Sequence, residues 1–220
     1  MEELNVLYDQ KAQKYFSNPR FDILPLLPDK VDKVLEVGCG HGATLEWLKV
    51  IRNSKKVVGV ELFPDAALIA YDKLDMVIQG NIETIELPFE PDEFDMILCL
   101  DVLEHLVDPW AVIKRLTVLI KPGGSLISSI PNVKHHSVML PLLFDGKWDY
   151  VQAGVLDKTH IRFFTRKTAI ELVESGGLKV DEIYSTGREK QSKSRIANIL
   201  SFGIFKVFFE TQYLIRATKK

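Results

Sequence analysis

The stretch that decides the fold reads Val34-Leu35-Glu36-Val37-Gly38-Cys39-Gly40-His41-Gly42. Its apolar, β-branched start predicts a buried strand, and the glycines that follow predict a tight turn into a helix. Glycines here let backbone approach a ligand where side chains would clash, and N–H groups at the helix start point towards that ligand. A turn without a ligand is the alternative, although one glycine would suffice for it. The stretch therefore predicts a ligand-binding loop.

Outward from this loop, short apolar runs alternate with segments of helical period. The predicted strands are 33–37, 56–62, 76–79, 94–100, 125–130 and 178–184, and the predicted helices are 43–51, 64–74, 108–120 and 166–175. This alternation is typical of βαβ units, so we expect an α/β fold: a doubly wound, mostly parallel sheet with helices on both faces. The regular pattern lapses for about 30 residues after Pro131, and long irregular connections are often functional.

Charge and cysteine content exclude several classes of protein. Lys and Arg total 28 against 30 for Asp and Glu, a net charge of −2, which disfavours a general nucleic-acid binder. Cys39 and Cys99 cannot form a disulfide framework, and no Cys/His cluster has zinc spacing, so no metal is expected. The N-terminus lacks an apolar signal core, and no long uncharged apolar run occurs, so we expect a cytoplasmic protein.

The spacing between the glycine loop and the acidic residue Glu61 indicates a nucleoside ligand. Glu61 closes the second predicted strand, 21 positions after Gly40, where a carboxylate can accept both ribose hydroxyls of a nucleoside. A solvated charge at a strand end is the alternative. The glycines fall as G-x-G-x-G rather than the G-x-G-x-x-G of dinucleotide-binding proteins, which disfavours a nicotinamide oxidoreductase.

At this point the sequence resembles the class I S-adenosylmethionine (SAM) dependent methyltransferases. The motifs that carry the resemblance are VLEVGCGHG with Glu61, then Gly80-Asn81-Ile82-Glu83, FDMILCLDVLEHL (94–106) and LIKPGG (119–124), in that order over residues 8–184. The resemblance implies a seven-stranded sheet whose antiparallel last strand is 212–217. It also implies SAM as cofactor and S-adenosylhomocysteine as product.

The resemblance carries over to particular residues. It implies that Glu36, Gly38 and Gly40 contact the methionine moiety, that Glu61 binds the ribose, and that Asn81 and Ile82 flank the adenine. Most members have Asp at position 81, where Asn can still accept a hydrogen bond but brings no charge. The remaining cofactor-lining candidates are Cys39, Gly42, Leu62, Leu100, Asp101 and Val102.

Two segments could supply a base for a hydroxyl acceptor. LDKTHIRFFT (156–165) resembles a segment of methyltransferases that act on quinone precursors and on sugars of surface-polysaccharide pathways. Within it, His160 is the candidate general base or substrate-orienting group, with Asp157 as its candidate partner. The alternative is that the segment only fixes the loop through backbone hydrogen bonds. His105, after the fourth strand, is the second candidate, for substrate contact or for local packing.

The candidate substrate residues are more scattered along the chain. Arg162 could clamp an anion or serve structurally, and Trp148 and Tyr150 could wall an aromatic pocket or form a small apolar core. Tyr15 belongs to a predicted N-terminal helical lid, 1–30, ahead of a SAM-binding core, 31–186, with a substrate-side insertion near 132–164. The segment 187–220 is basic and apolar; its part 196–209 is too short to span a bilayer and could contact a membrane surface.

These observations favour a methyltransferase for a small-molecule acceptor, with oxygen of a sugar-like or quinol-like compound as the methyl acceptor. No nucleic-acid partner is expected, and an oligomer is possible. A methyltransferase for RNA or protein is one rival. A non-catalytic SAM-fold protein that only binds a partner is another, because an intact cofactor loop does not prove turnover.

Overall fold

The computed structural model describes residues 17–187 and 206–220. The strands are β1 (Lys33–Val37), β2 (Lys56–Glu61), β3 (Met76–Gln79), β4 (Phe94–Leu100), β5 (Ile120–Pro131), β6 (Leu178–Ser185) and β7 (Gln212–Lys219). The α-helices are α1 (Ala43–Arg52), α2 (Pro64–Tyr71), α3 (Pro109–Leu119), α4 (His136–Asp145) and α5 (Arg166–Glu174). Most of the predicted lid, with Tyr15, and residues 196–205 of the predicted apolar segment 196–209 lie outside the described residues.

The strands form one seven-stranded sheet in the order β3-β2-β1-β4-β5-β7-β6. The pairs among β1 to β5 are parallel, whereas β7 is antiparallel to both of its neighbours, β5 and β6. The expected doubly wound sheet with an antiparallel last strand is therefore confirmed. The order places β1 and β4 side by side at the centre of the sheet, so the loops after these two strands meet at its carboxyl edge.

The sheet is buried on both faces, as a parallel sheet covered by helices requires. Successive residues of β1 point to opposite faces: Val34 belongs to the core under α1 and α2, and Leu35 to the core under α3 and α5. Both side chains are fully buried. This double burial explains why the central strands are continuous apolar runs rather than alternating ones.

Helices α2, α3 and α5 begin where their sequence signals predict. Pro64 and Pro109 occupy first-turn positions of α2 and α3, and the Asp108 side chain accepts a hydrogen bond from the Ala111 N–H. Thr165 and Thr168 form a reciprocal capping box at the start of α5. The cap of α5 fixes the end of the loop that carries His160.

Two segments differ from the sequence predictions. Strand β5 begins at Ile120, which pairs with Phe94, so the Lys121-Pro122-Gly123-Gly124 turn lies inside an irregular strand rather than before it. The stretch expected to be irregular contains α4. That helix was missed because Pro141 interrupts its pattern and because Leu143 and Phe144 are exposed, which removes the single apolar stripe of an ordinary surface helix.

Candidate functional site

The glycine loop has a backbone that only glycine adopts without strain. Gly38, Gly40 and Gly42 have φ angles of 70°, 54° and 75°, all in the left-handed region. The Gly38 N–H donates to the carbonyl of Val60 at 2.8 Å, which holds the loop against the end of β2. The loop therefore lies across the carboxyl ends of β1 and β2, the edge at which open α/β sheets bind ligands.

Glu61, at the end of β2, is tied to this loop. It is 3% exposed; Oε2 accepts from the Gly40 N–H at 2.7 Å and Oε1 from the Phe63 N–H at 3.0 Å. Burial raises the pKa of Glu61, and its backbone hydrogen bonds work against that shift. A carboxylate has about four lone-pair sites, so two backbone donors leave capacity for ligand hydroxyls.

Glu36, in β1, places a second buried carboxyl group next to the loop. It is 3% exposed, and Oε2 has no hydrogen-bond partner among the residues that the structure describes. Burial raises the pKa of Glu36 to about 8, and nearby Arg20 pulls it downwards. An unsatisfied buried oxygen is costly, and a cationic ligand group that donates to it would remove that cost.

Asp101 follows β4 at the same edge and is the centre of a hydrogen-bond network. It accepts from Arg20 Nη1, from Ser129 Oγ at 2.8 Å and from Gln212 Nε2 at 2.7 Å. Its φ of 57° is strained for a residue other than glycine, and these donors hold it in place. The sequence analysis singled out Asp101 but not its partners Ser129 and Gln212, and it included Arg20 only as part of the predicted lid, 1–30. These partners are 28 to 111 residues away from Asp101 along the chain, and no local motif marks contacts over such separations.

Asn81 and Ile82, predicted to flank the adenine, follow β3, and Leu62, another cofactor-lining candidate, follows β2. Leu62 is 41% exposed, whereas Ile82 is buried. The Asn81 Oδ1 accepts from the Glu83 N–H at 2.9 Å, so this side chain stabilises its own turn. Cys39 is buried, and a Cβ atom on Gly59 would lie 2.4 Å from its sulfur, which shows how tightly the loop packs on β2.

The two candidate histidines meet in space. The ring centroids of His105 and His160 are 4.7 Å apart in an edge-to-face arrangement. Nδ1 of His105 lies 3.0 Å from the Thr159 carbonyl, and Nδ1 of His160 lies 2.9 Å from the Val155 carbonyl. A carbonyl can only accept, so each Nδ1 carries a proton, and in the neutral ring each Nε2 carries a lone pair.

Asp157 is buried beside His160 but makes local contacts. Its Oδ1 accepts from the N–H and the hydroxyl of Thr159, at 2.9 and 2.6 Å, and its carbonyl accepts from the His160 N–H at 3.0 Å. These bonds shape the loop that presents His160. These contacts agree with the structural role that the sequence left open, and the role of Asp157 as a partner of His160 stays a prediction.

A buried carboxyl group, Glu104, completes the histidine cluster. Its Oε1 lies 3.9 Å from Nε2 of His160, and one ligand-type atom from each of Glu104, His105 and His160 lies within 4.8 Å of the others. Imidazole and carboxylate together are ligand types for Zn²⁺ and Mn²⁺. The expectation that no metal takes part therefore stays a prediction, and the cluster is the place to test it.

The candidate substrate residues divide into packed and exposed groups. Trp148 packs edge-to-face on Phe163, with centroids 5.2 Å apart, in a small apolar core with Val138. Tyr150 is 48% exposed. Arg162 donates to the Val107 carbonyl, and its guanidinium lies 5.7 Å from the ring centre of Trp110. Trp148 and Arg162 thus have structural contacts, Tyr150 is the more exposed side chain, and the substrate roles of all three stay predictions.

Comparisons with known proteins bear on the family to which the chain belongs. Residues 8–183 match the family described as methyltransferase domain. The ubiquinone biosynthesis O-methyltransferase of Cupriavidus pinatubonensis is 27% identical over 196 residues, covering 78% of this chain and 77% of that protein. The ubiquinone biosynthesis O-methyltransferase of Pseudoalteromonas translucida is 30% identical, and the match covers 67% of this chain and 64% of that protein.

Solved structures support the fold independently of sequence. A SAM-dependent methyltransferase from Archaeoglobus fulgidus superposes with a TM-score of 0.69 at 18% identity, covering 90% of this chain and 91% of that one. One from Aquifex aeolicus gives 0.61 at 16% identity, covering 90% and 88%. In the described residues, no helix combines the length and the apolar character needed to cross a bilayer. The chain belongs to the methyltransferase-domain family and is a class I SAM-dependent methyltransferase.

Proposed function

We propose that this protein transfers the methyl group of SAM to an oxygen atom of a small-molecule acceptor. The observation that carries the cofactor part is the buried Glu61 carboxylate, held by the Gly40 N–H of a loop with three left-handed glycines. The carboxylate is anchored by backbone donors and keeps acceptor capacity for the ribose hydroxyls. A merely structural turn would need neither the buried charge nor three glycines.

The cofactor would lie across the loop with its charged end at Glu36. In this arrangement, Glu36 Oε2 accepts from the methionine ammonium, and Arg20, anchored on Asp101, faces the methionine carboxylate. Leu62, Asn81 and Ile82 border the adenine. When bound, SAM supplies an activated methyl group for in-line displacement, so the task of the chain is alignment, which can be worth about 7 to 11 kcal/mol.

The acceptor would lie beyond Val102, towards the histidine cluster. A neutral hydroxyl is a poor nucleophile, and removal of its proton makes it reactive. Nε2 of His160 carries a lone pair because its Nδ1 is committed to the Val155 carbonyl, so it can accept that proton. His105 is the second base candidate. Glu104 stabilises the imidazolium that results, since a nearby carboxylate favours the charged ring.

The relatives favour oxygen as the acceptor atom. The two named above are O-methyltransferases of ubiquinone biosynthesis, which supports a quinol-like acceptor over the sugar-like alternative. At 27 to 30% identity, this is support for a class of acceptor and not for one compound. The exposed Tyr150 offers an aromatic face for a phenolic ring.

The test is product formation. The purified protein is incubated with SAM and, separately, with phenolic quinol precursors and with sugar nucleotides, and S-adenosylhomocysteine and the methylated product are measured by mass spectrometry. We expect turnover with the phenols, and its loss in Glu61→Ala. Binding of SAM in a folded sample without turnover on any acceptor would instead favour the non-catalytic alternative.

A further inference from the structure

A second polar pocket lies at the opposite edge of the sheet from the candidate active site. Its volume is about 420 Å³, and its walls include Lys30, Asp95, Lys121, Gly124, Ser125 and Arg216. Asp95 is near the start of β4, whereas Asp101 follows the end of that strand. Six residues of extended chain separate the two, about 20 Å. The pocket is therefore a separate site and does not depend on the proposed methyl transfer.

The pocket has an excess of positive charge. Among the residues that the structure describes, three cationic side chains line it, from Lys30, Lys121 and Arg216, whereas Asp95 is the one carboxylate in the wall. Lys121 is paired with Asp95, and Arg216 with Glu182, which stands outside the lining. With both partners counted, one positive charge is left over. The Asp95 carboxylate is further engaged, because its Oδ2 accepts the N–H groups of Asp32 and Lys33, at 3.1 and 2.7 Å.

Two hydrogen-bond donors in the wall of the pocket lack a strong partner. Ser125 is 3% exposed, and its Oγ has no hydrogen-bond partner among the described residues. Nη2 of Arg216 pairs with Glu182, whereas its Nη1 donates to the Leu26 carbonyl at 3.3 Å, which is long for a charge-assisted hydrogen bond. A buried hydroxyl without a partner and the weakly bonded Nη1 of a guanidinium are donors that an anion with several oxygen atoms would satisfy.

From these contacts, we propose that this pocket binds a phosphate group, free or as part of a small phosphorylated molecule. Arg216 donates to two phosphate oxygens from its planar fork, and Lys30 and Lys121 act as point charges. The Ser125 hydroxyl donates to the innermost oxygen after a small adjustment of the Gly123-Gly124 turn beside it, where a side chain on Gly123 would meet nothing within 4 Å. Lys121 is then shared between Asp95 and the anion.

The experiment is a titration of the full chain with inorganic phosphate and with pyrophosphate, at constant ionic strength held with chloride. Binding is followed by calorimetry and by the amide NMR signals of Gly123 and Gly124. We expect saturable binding with a Kd of about 1 mM or tighter, and larger signal changes at these two glycines than elsewhere. If pyrophosphate binds and phosphate does not, the ligand carries more than one phosphate group.

Variants distinguish the pocket from general attraction of anions. Arg216→Gln should weaken binding about tenfold or more. Ser125→Ala should weaken it several-fold at unchanged thermal stability, because its hydroxyl has no partner to lose. Lys167→Gln is the matched control, a lysine on α5 whose side chain is 85% exposed, and it should bind like the wild type. Absence of saturable binding, or equal binding in all variants, would overturn the proposal.

Discussion

Gly38 and Val102 are in mutual contact across the carboxyl edge of the sheet: a Cβ atom on Gly38 would lie 2.6 Å from Cγ2 of Val102. Real Cβ atoms do not approach a methyl group so closely, so the absence of a side chain at position 38 is what lets the end of β4 close on the loop. Gly38→Ala should therefore displace either the glycine loop or the end of β4, and it should lower the affinity for SAM at least about tenfold. The Gly38→Ala/Val102→Ala double variant should recover part of it, but not all, because the φ of 70° remains strained. Calorimetry measures the SAM affinity of the wild type, the single variant and the double variant. Wild-type affinity in Gly38→Ala would show that the loop does not bind the cofactor.

Glu61 should contribute directly to cofactor affinity. Glu61→Ala removes the acceptor proposed for the ribose hydroxyls, and we expect SAM binding to weaken by about 1.5 to 3 kcal/mol. The matched control is Glu46→Ala, which removes a carboxylate from α1 that is 55% exposed and paired with Lys73. Calorimetry with S-adenosylhomocysteine separates the ribose contact from contacts to the methyl group. Equal affinity of Glu61→Ala and the control would place the ribose elsewhere.

The pKa of Glu36 predicts how stability of the unliganded protein depends on pH. Burial raises this pKa from 4.5 to about 8, so between these values the folded state binds more protons than the unfolded state. The free energy of unfolding therefore falls as pH rises from 4.5 towards 8, by up to about 1.4 kcal/mol per pH unit from this group. Glu36→Gln should remove this part of the slope in urea titrations at several pH values. An identical slope in both proteins would mean that Glu36 is already ionised when folded.

The same carboxyl group should couple cofactor binding to proton release. A cationic methionine end favours ionised Glu36, so SAM affinity should rise with pH up to about 8 and then level off. Calorimetry in buffers of different ionisation enthalpy measures the released proton directly at pH 7. The Glu36→Gln variant should bind more weakly and release no proton, whereas equal proton release in both proteins would assign the linkage to another group.

His160 should affect turnover rather than cofactor binding. We expect His160→Ala to lower kcat about 100-fold or more with SAM affinity unchanged, the scale of general-base catalysis. The wild-type protein should keep its activity in EDTA, because the proton is taken by the imidazole. Loss of activity on chelation, restored by Mn²⁺ or Zn²⁺, would instead assign Glu104, His105 and His160 as ligands of a metal ion. Full activity of His160→Ala would exclude both roles.

Local patterns predicted most of the fold and singled out the residues of the candidate cofactor site. The bounds of β1, β3 and β4 match the sequence prediction residue for residue, because buried parallel strands are apolar runs bounded by turn residues. The glycine loop and Glu61 were found because their spacing along the chain is short. The same reasoning missed α4, whose apolar side chains are partly exposed, and it missed Gln212 as a partner of Asp101, since 111 residues separate them. Contacts of this kind follow from sheet order, which no local pattern records.

The position of β7 between β5 and β6 constrains the order in which the sheet can assemble. In the described part of the chain, strand β6 pairs only with β7, which follows it in sequence, so β6 cannot join the sheet until β7 is present. During synthesis on the ribosome, β1 to β5 can form a parallel sheet first. Until β7 has been made, β6 is an unpaired strand, with which other chains could pair. Gln212 opens β7, so the same late event that protects β6 also brings the last donor to Asp101. Completion of the sheet and completion of the site are therefore one step in biosynthesis.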